Sequence, residues 1–396
     1  MDRRRISPEL VVGVMIATFI AVTVIRPWGA DANRSPSTSP APTVAARAKT
    51  PRAPRTVPSA VPVSVVGVIP IPGQLATPVV DADTIWYVSD RSSLIRLDPA
   101  SRAVERIALD PDRFPGPVQV TAQGGEIWIA EAGDQEISRI DPATGSVTNQ
   151  IPVTVDGPYA LGGVFGLVRD ASVAWAIGEL RWLESGDGAA PGGSPCCDDL
   201  DTWELFRVDL TTLHSDAVHQ VDGALAIAQG FGAVWVVQSP RATVGRAILV
   251  RRDPDTGIAT GTTVLPDPAD GNPCDRCLAG LRVGSESVWV AYREPGLVLR
   301  IDRRFQILSA RIKVTGRITD LAMDPDGALW VVGLHEPGPD CRASGGFLAR
   351  IDPSQGVISS ELAVSCPVSV AVSRGDVWVG TDAPGGPQVV EVRVGS

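Results

Sequence analysis

Histidine is nearly missing: the 396 residues include three, His214, His219 and His335. That scarcity leaves little material for imidazole acid–base pairs or histidine-ligated metal centres. There is no Gly-rich phosphate loop, no nucleophile elbow and no HExxH sequence, so the usual nucleotide-binding, hydrolase and zincin signatures are lacking. Charge is sparse as well, at 20% of residues. No long segment repeats its apolar residues every 3.6 positions, which argues against helical domains and for an all-β protein. In their place the chain has 40 Gly and 34 Pro, the material of many turns, and a 44% hydrophobic content that can bury a core. Its length suits one large or two ordinary domains.

The N-terminus stands apart. Arg3, Arg4 and Arg5 precede an apolar run from Leu10 to Ile25, followed by Trp28. This reads as a transmembrane signal anchor over 1–29, or as a signal peptide cut after Ala30-Asp31-Ala32. Residues 30–62 are rich in Pro, Ala and Ser and read as a disordered linker. Either reading puts the remainder outside the cytoplasm, on the cell membrane by a single pass or secreted. The first 62 residues carry a net +6 and residues 63–396 a net −16. An acidic head of that kind cannot neutralise phosphates, which excludes nucleic acid as a partner.

The head is repetitive. "IW", "AW", "VW" or "LW" strands recur at Trp86, Trp128, Trp175, Trp235, Trp289, Trp330 and Trp378, 41 to 60 residues apart. Six are followed by an Arg-hydrophobic-Asp segment and a turn, as in "SRIDPATG". Spacings of this size mark a repeated supersecondary unit. Each unit reads as a small-residue strand ("ALAIA", "SVAVS"), a Gly/Asp turn, the Trp strand, a third strand and a fourth. The Trp strand is apolar at successive positions, so both of its faces are buried. Four antiparallel strands with two apolar faces make one blade of a β-propeller, stable only when stacked. The seventh unit supplies three strands, and Val63–Ile71 is expected to provide its fourth. The expectation is a seven-bladed propeller over 63–396.

The recurring "vWVa…RIDPxTG" resembles the bacterial propeller family that includes YncE-like proteins and the streptogramin B lyases. The resemblance implies the seven-bladed fold and, for a lyase, a histidine base with a metal ion at the mouth of the ring. His335, beside Glu336, is the catalytic candidate it offers; no second mouth histidine accompanies it. His214 and His219 flank the fourth strand of unit three, on the outer rim.

Six cysteines fall in loops expected on one face: Cys196, Cys197, Cys274, Cys277, Cys341 and Cys366. In an exported chain an even count suggests disulfides. Cys341–Cys366 joins two neighbouring loops. The other four pair either between the 196/197 and 274/277 loops or within each pair, and a four-cysteine zinc site is a third arrangement. The long loop after Trp175 carries Trp182 and Trp203, as a lid or as a recognition loop. Acids follow most Trp strands: Asp90, Glu131, Glu179, Glu294, Glu336 and Asp382. They are expected to ring one mouth and to attract a cation, a basic peptide or an amine. The resulting functional expectation is a membrane-tethered, non-catalytic module that binds a protein or a small cationic ligand without a cofactor. The alternative is a lyase or hydrolase with a divalent metal ion at the mouth.

Overall fold

The computed structural model describes residues 61–395 except 74, 90–92, 111, 113, 115–117, 132–134, 156–158, 171, 183–201, 240–245, 267–277, 305 and 336–344. The expected anchor, and the linker as far as residue 60, lie outside the described residues. No helix among those described is long and apolar enough to cross a membrane.

Seven four-stranded antiparallel sheets form a propeller. In six of them the strands follow chain order. In the seventh the order is Val63–Pro70, Gly386–Val394, Asp376–Ala383, Pro367–Ser373. The N-terminal strand therefore completes the last blade, with Val63 opposite Val394 and Pro70 opposite Gln388. The chain enters beside its own end: Gly395 donates its amide to the Pro62 carbonyl at 2.8 Å, and the Ser360 hydroxyl donates to the Val61 carbonyl.

Each Trp lies on the second strand of its blade, and six of the seven are at most 1% exposed. Their packing shows why one blade cannot stand alone. Trp289 clusters with Leu329 and Phe347 of the next blade, and Trp330 with Val377 and Val390 of the one after. Trp378 closes the circle against Ile85 and Tyr87 of blade one. Each tryptophan thus covers a neighbour's apolar face, and removing such a side chain costs about 3–5 kcal/mol.

The turn between third and fourth strands repeats atom for atom. Asp141 Oδ1 accepts the amides of Ala143 and Thr144, while the Gly145 amide donates to the Asp141 carbonyl at 2.9 Å. Asp98, Asp209, Asp253, Asp302 and Asp352 each accept an amide two residues on. The fifth position of the turn has positive φ. Gly145, Gly257 and Gly356 take it without a Cβ penalty. Arg102, Leu213 and Gln306 take it in the other three turns, at φ of 59°, 57° and 54°. The turn geometry is thus kept where glycine is not.

The arginine before each of these aspartates faces the tryptophan across the ladder. The Arg96, Arg251, Arg300 and Arg350 guanidiniums lie 5.8–6.0 Å from the ring centroids of Trp86, Trp235, Trp289 and Trp330. Blade seven reverses the charge. Opposite Trp378 stands Glu391, buried and 2.7 Å from Arg102 of blade one.

Strand direction defines two faces. The third-to-fourth strand turns and the entry point at Val63 lie on one, the turn face. The ends of the Trp strands and the starts of the innermost strands lie on the other, the mouth face. His214 opens the strand His214–Asp222 and His219 lies within it, rather than the two flanking it. His214 is exposed, 3.1 Å from Asp216.

Candidate functional site

The innermost strands enclose a central cavity of about 530 Å³, lined from all seven blades. At the level of each Trp the innermost strand presents Val79, Thr121, Val168, Ala228, Arg282, Ala322 and Ala371. Six are neutral and mostly small, as a narrow channel requires; Arg282 departs from the pattern. Two levels nearer the mouth, Asp320 departs in the same way. The positions matching it are Gln119, Gly166, Ala226, Gly280 and Ser369.

These two departures meet. Arg282 Nη2 lies 3.2 Å from Asp320 Oδ1 and Nη1 donates to its neighbour's carbonyl, Leu281 O, at 3.0 Å. Asp320 accepts the Leu321 amide on Oδ1 at 2.7 Å and the Val370 amide on Oδ2 at 3.0 Å. The carboxylate thereby satisfies channel-facing amides of blades six and seven, which as innermost edges have no strand to pair with. Burial pushes its pKa up, against the opposing pull of Arg282 and the two amides. Burial also pushes up the Tyr87 phenol, and the nearby Asp320 charge adds to the shift. Arg293 and Arg317 lie towards the mouth in the same sector. Burial lowers the Arg293 pKa and the Arg317 charge lowers it further.

Across the channel, blade three is longer than the rest, with strands of 12, 10, 8 and 9 residues. A bulge between Val164 and Gly166 turns out Phe165. Its ring meets Trp203 edge-on, with centroids 5.2 Å apart. Both side chains line the cavity, and Phe165 is 41% exposed. Gly166 lets blades three and four approach here: a Cβ on it would sit 2.7 Å from Ile227.

Of the described residues singled out from sequence, Trp203 is the one that lines the cavity. Trp182 ends its strand at the mouth face. Glu131 ends its Trp strand, Glu179 is half-buried within Val173–Trp182, and Asp382 is exposed and donates its amide to the Cys366 carbonyl at 3.0 Å. Glu294 is exposed and 3.6 Å from Arg317. Glu179, Glu294 and Asp382 do not line the cavity, because each lies in or just after a second strand, one layer out from the innermost strand. The charged residue in the described lining is a cation, Arg282. Asp90 and Glu336 lie outside the described residues.

His335 is exposed, with its ring 5.4 Å from that of Phe347, and it does not line the cavity. Among the described residues no cluster of three or more His, Cys, Asp or Glu could hold a metal ion. Cys366 is buried and disulfide-bonded. The other five cysteines lie outside the described residues, as does most of the loop after Trp182.

Phe165, Arg282 and Asp320 escaped the sequence reading. A signal for them exists in "GGVFGLV", "LAGLRVG" and "RITDLAMD": a bulky or charged residue in strands that elsewhere read like "ALAIA".

No protein-family model matches the chain, and no curated protein matches it. Solved structures do. A chain of a mitotic checkpoint complex superposes with a TM-score of 0.55 at 11% identity, covering 90% of this chain and 99% of that one. Virginiamycin B lyase from Staphylococcus aureus superposes with a TM-score of 0.56 at 13% identity, covering 84% and 99%. At these identities the likeness is one of fold: the chain is a seven-bladed β-propeller of four-stranded antiparallel blades.

Proposed function

We propose that this chain is an extracytoplasmic binding module, held to the membrane by residues 1–29 through the linker, that takes its ligand at the mouth and upper channel of the propeller. The observation that carries the reading is the convergence of departures from the repeat. Phe165, Trp203, Arg282 and Asp320 break a pattern kept elsewhere, and all four sit in or against one cavity. Residues needed only for the fold would repeat from blade to blade, as the tryptophans and turn aspartates do.

The metal-dependent lyase reading has less support, since His335 packs on Phe347 away from the cavity. Membership of the YncE-like and streptogramin lyase family remains a proposal resting on the repeated motif. A Cys341–Cys366 disulfide is proposed from the expected neighbourhood of their two loops, and Asp90, Glu131, Glu179, Glu294, Glu336 and Asp382 are proposed as a rim for a basic partner protein.

The test is a thermal-shift screen of the full-length chain against small molecules and peptides, repeated with Trp203→Ala. Ligands that raise the melting temperature of the parent and lose that effect in the variant support the reading. Hits indifferent to Trp203 and to Phe165→Ala overturn it.

A further inference from the structure

The cavity has a guanidinium in one sector and an aromatic pair in another. Arg282 stands at the level of Trp289, and Gly166, beside Phe165, stands two levels nearer the mouth than Trp175. At the rise of a strand, two to three levels span on the order of 8 Å. The lining mixes aliphatic side chains, Leu225, Ile227, Leu278 and Leu281 among them, with the polar Thr77, Gln119 and Thr121. Arg282 is the charged side chain of the described lining and stands at its deeper end.

The charge in that sector is positive. Arg282, Arg293 and Arg317 face Asp320 and Glu294. Asp320 accepts from two amides and from Arg282, so its oxygens are already committed. Arg282 has five N–H groups, of which the bonds to Leu281 and Asp320 use two. Its side chain is 31% exposed, so it is neither sealed in the wall nor fully hydrated. A guanidinium in that state pairs well with a planar carboxylate.

We infer that the cavity binds a small organic carboxylate with an apolar body, the carboxylate at Arg282 and the body against Phe165 and Trp203. This rests on the reading of the channel as the ligand site and adds the sign and shape of the ligand. It differs from the cationic ligand that the acids of the sequence suggested; of the described ones, Glu179, Glu294 and Asp382 do not line the cavity.

Three probes of one shape decide it: 4-phenylbutyrate, 4-phenylbutanamide and 4-phenylbutylamine, titrated calorimetrically into the full-length chain at low salt. The carboxylate should bind about tenfold or more tighter than the amide, as one charge-assisted bidentate contact predicts. The amine should bind most weakly. Phe165→Ala should weaken carboxylate and amide alike, and Arg282→Lys should weaken the carboxylate alone. Equal binding of all three probes, lost together in Phe165→Ala, overturns the anion assignment and leaves the channel as a ligand site. Tighter binding of the amine overturns it too. Absence of saturable carboxylate binding to the folded parent also overturns it. Because the ranking of the probes is read on the parent protein, misfolding of a variant does not spare the proposal.

Discussion

The turn face and the channel are built from the same seven units, yet they treat repetition in opposite ways. On the turn face six aspartates hold six nearly identical turns, down to the amides each accepts. In the channel the same repeat is broken at Arg282, Asp320 and Phe165. The contrast teaches that repetition serves closure of the ring, whereas departures from it single out one sector for another task. Blade seven illustrates the first half. It has no turn aspartate, and its ladder position opposite Trp carries Glu391 in place of arginine. That inversion lets Glu391 meet Arg102, which occupies the positive-φ position of blade one's turn. The joint between the last and first blades is thus made from altered copies of the repeated parts.

The largest effect should come from breaking that joint. A chain beginning at Gly73 loses the Val63–Pro70 strand and leaves the Gly386–Val394 edge unpaired, which invites edge-to-edge association. It should aggregate or melt far below the full-length chain in light scattering and calorimetry. Equal melting temperatures would remove the closure role of this strand.

Glu391→Gln comes next. The variant keeps the volume but leaves a buried amide facing Arg102 without the ion pair. Because Arg102 is about half exposed, the expected loss is moderate, about 1–3 kcal/mol, typical of a disrupted buried polar partner. Urea unfolding would measure it, and the double variant with Arg102→Gln should show coupling between the two sites.

The two regions should also titrate in opposite senses. A hydrogen bond from the Ser101 hydroxyl lowers the Asp98 pKa, and amides of Thr212 and Thr256 lower those of Asp209 and Asp253. In Asp352 burial opposes the shift, and the Ser354 hydroxyl together with the Gln355 and Ser354 amides outweighs it. The stability these turns contribute is present above the unfolded carboxylate pKa of about 3.9. It is lost as pH falls through the lower folded values. Asp320 is shifted up, so its contribution is fully present below the unfolded value and is lost as pH rises through the folded one. Asp98→Asn with Asp253→Asn keeps an acceptor in each turn but removes two titrations. Unfolding followed between pH 5 and 3 should show a shallower loss of stability than in the parent.

The smallest effect should be a gain. Gln306 holds φ of 54° and its buried Oε1 finds no hydrogen-bond partner among the described residues. Gln306→Gly relieves the left-handed strain and should stabilise by about 0.5–1 kcal/mol. Leu213→Gly should not gain to the same extent, because Leu213 also packs against the blade-three core.

Most of the fold could be read from local signals. The tryptophan spacing gave the number of blades, and the double-sided apolar strands placed the tryptophans between them. The three-strand seventh unit together with the lone strand at Val63 announced the closure. The turn aspartates were legible because an Asx turn is a contact over two or three residues. Leu213 and Gln306 in the positive-φ position were not, since the turn is held by its aspartate and the flanking ladders, which override the preference for glycine.

Among the described residues, the part of the cavity legible in the sequence was Trp203. The acids after the Trp strands were prominent in sequence, but a residue there lies on the second layer of a blade, and the sequence does not show how far that is from the axis. Arg282 and Asp320 are 38 residues apart and look unrelated along the chain.

What the sequence by itself determined is therefore whatever depends on period and neighbours: all-β blades, seven of them, their turns and their closure. What only the tertiary structure decided is which side chains share the channel. Each blade contributes its innermost strand to a common axis, so residues distant in sequence meet at one level, and the level and layer of a residue follow from ladder register rather than from its position in the motif.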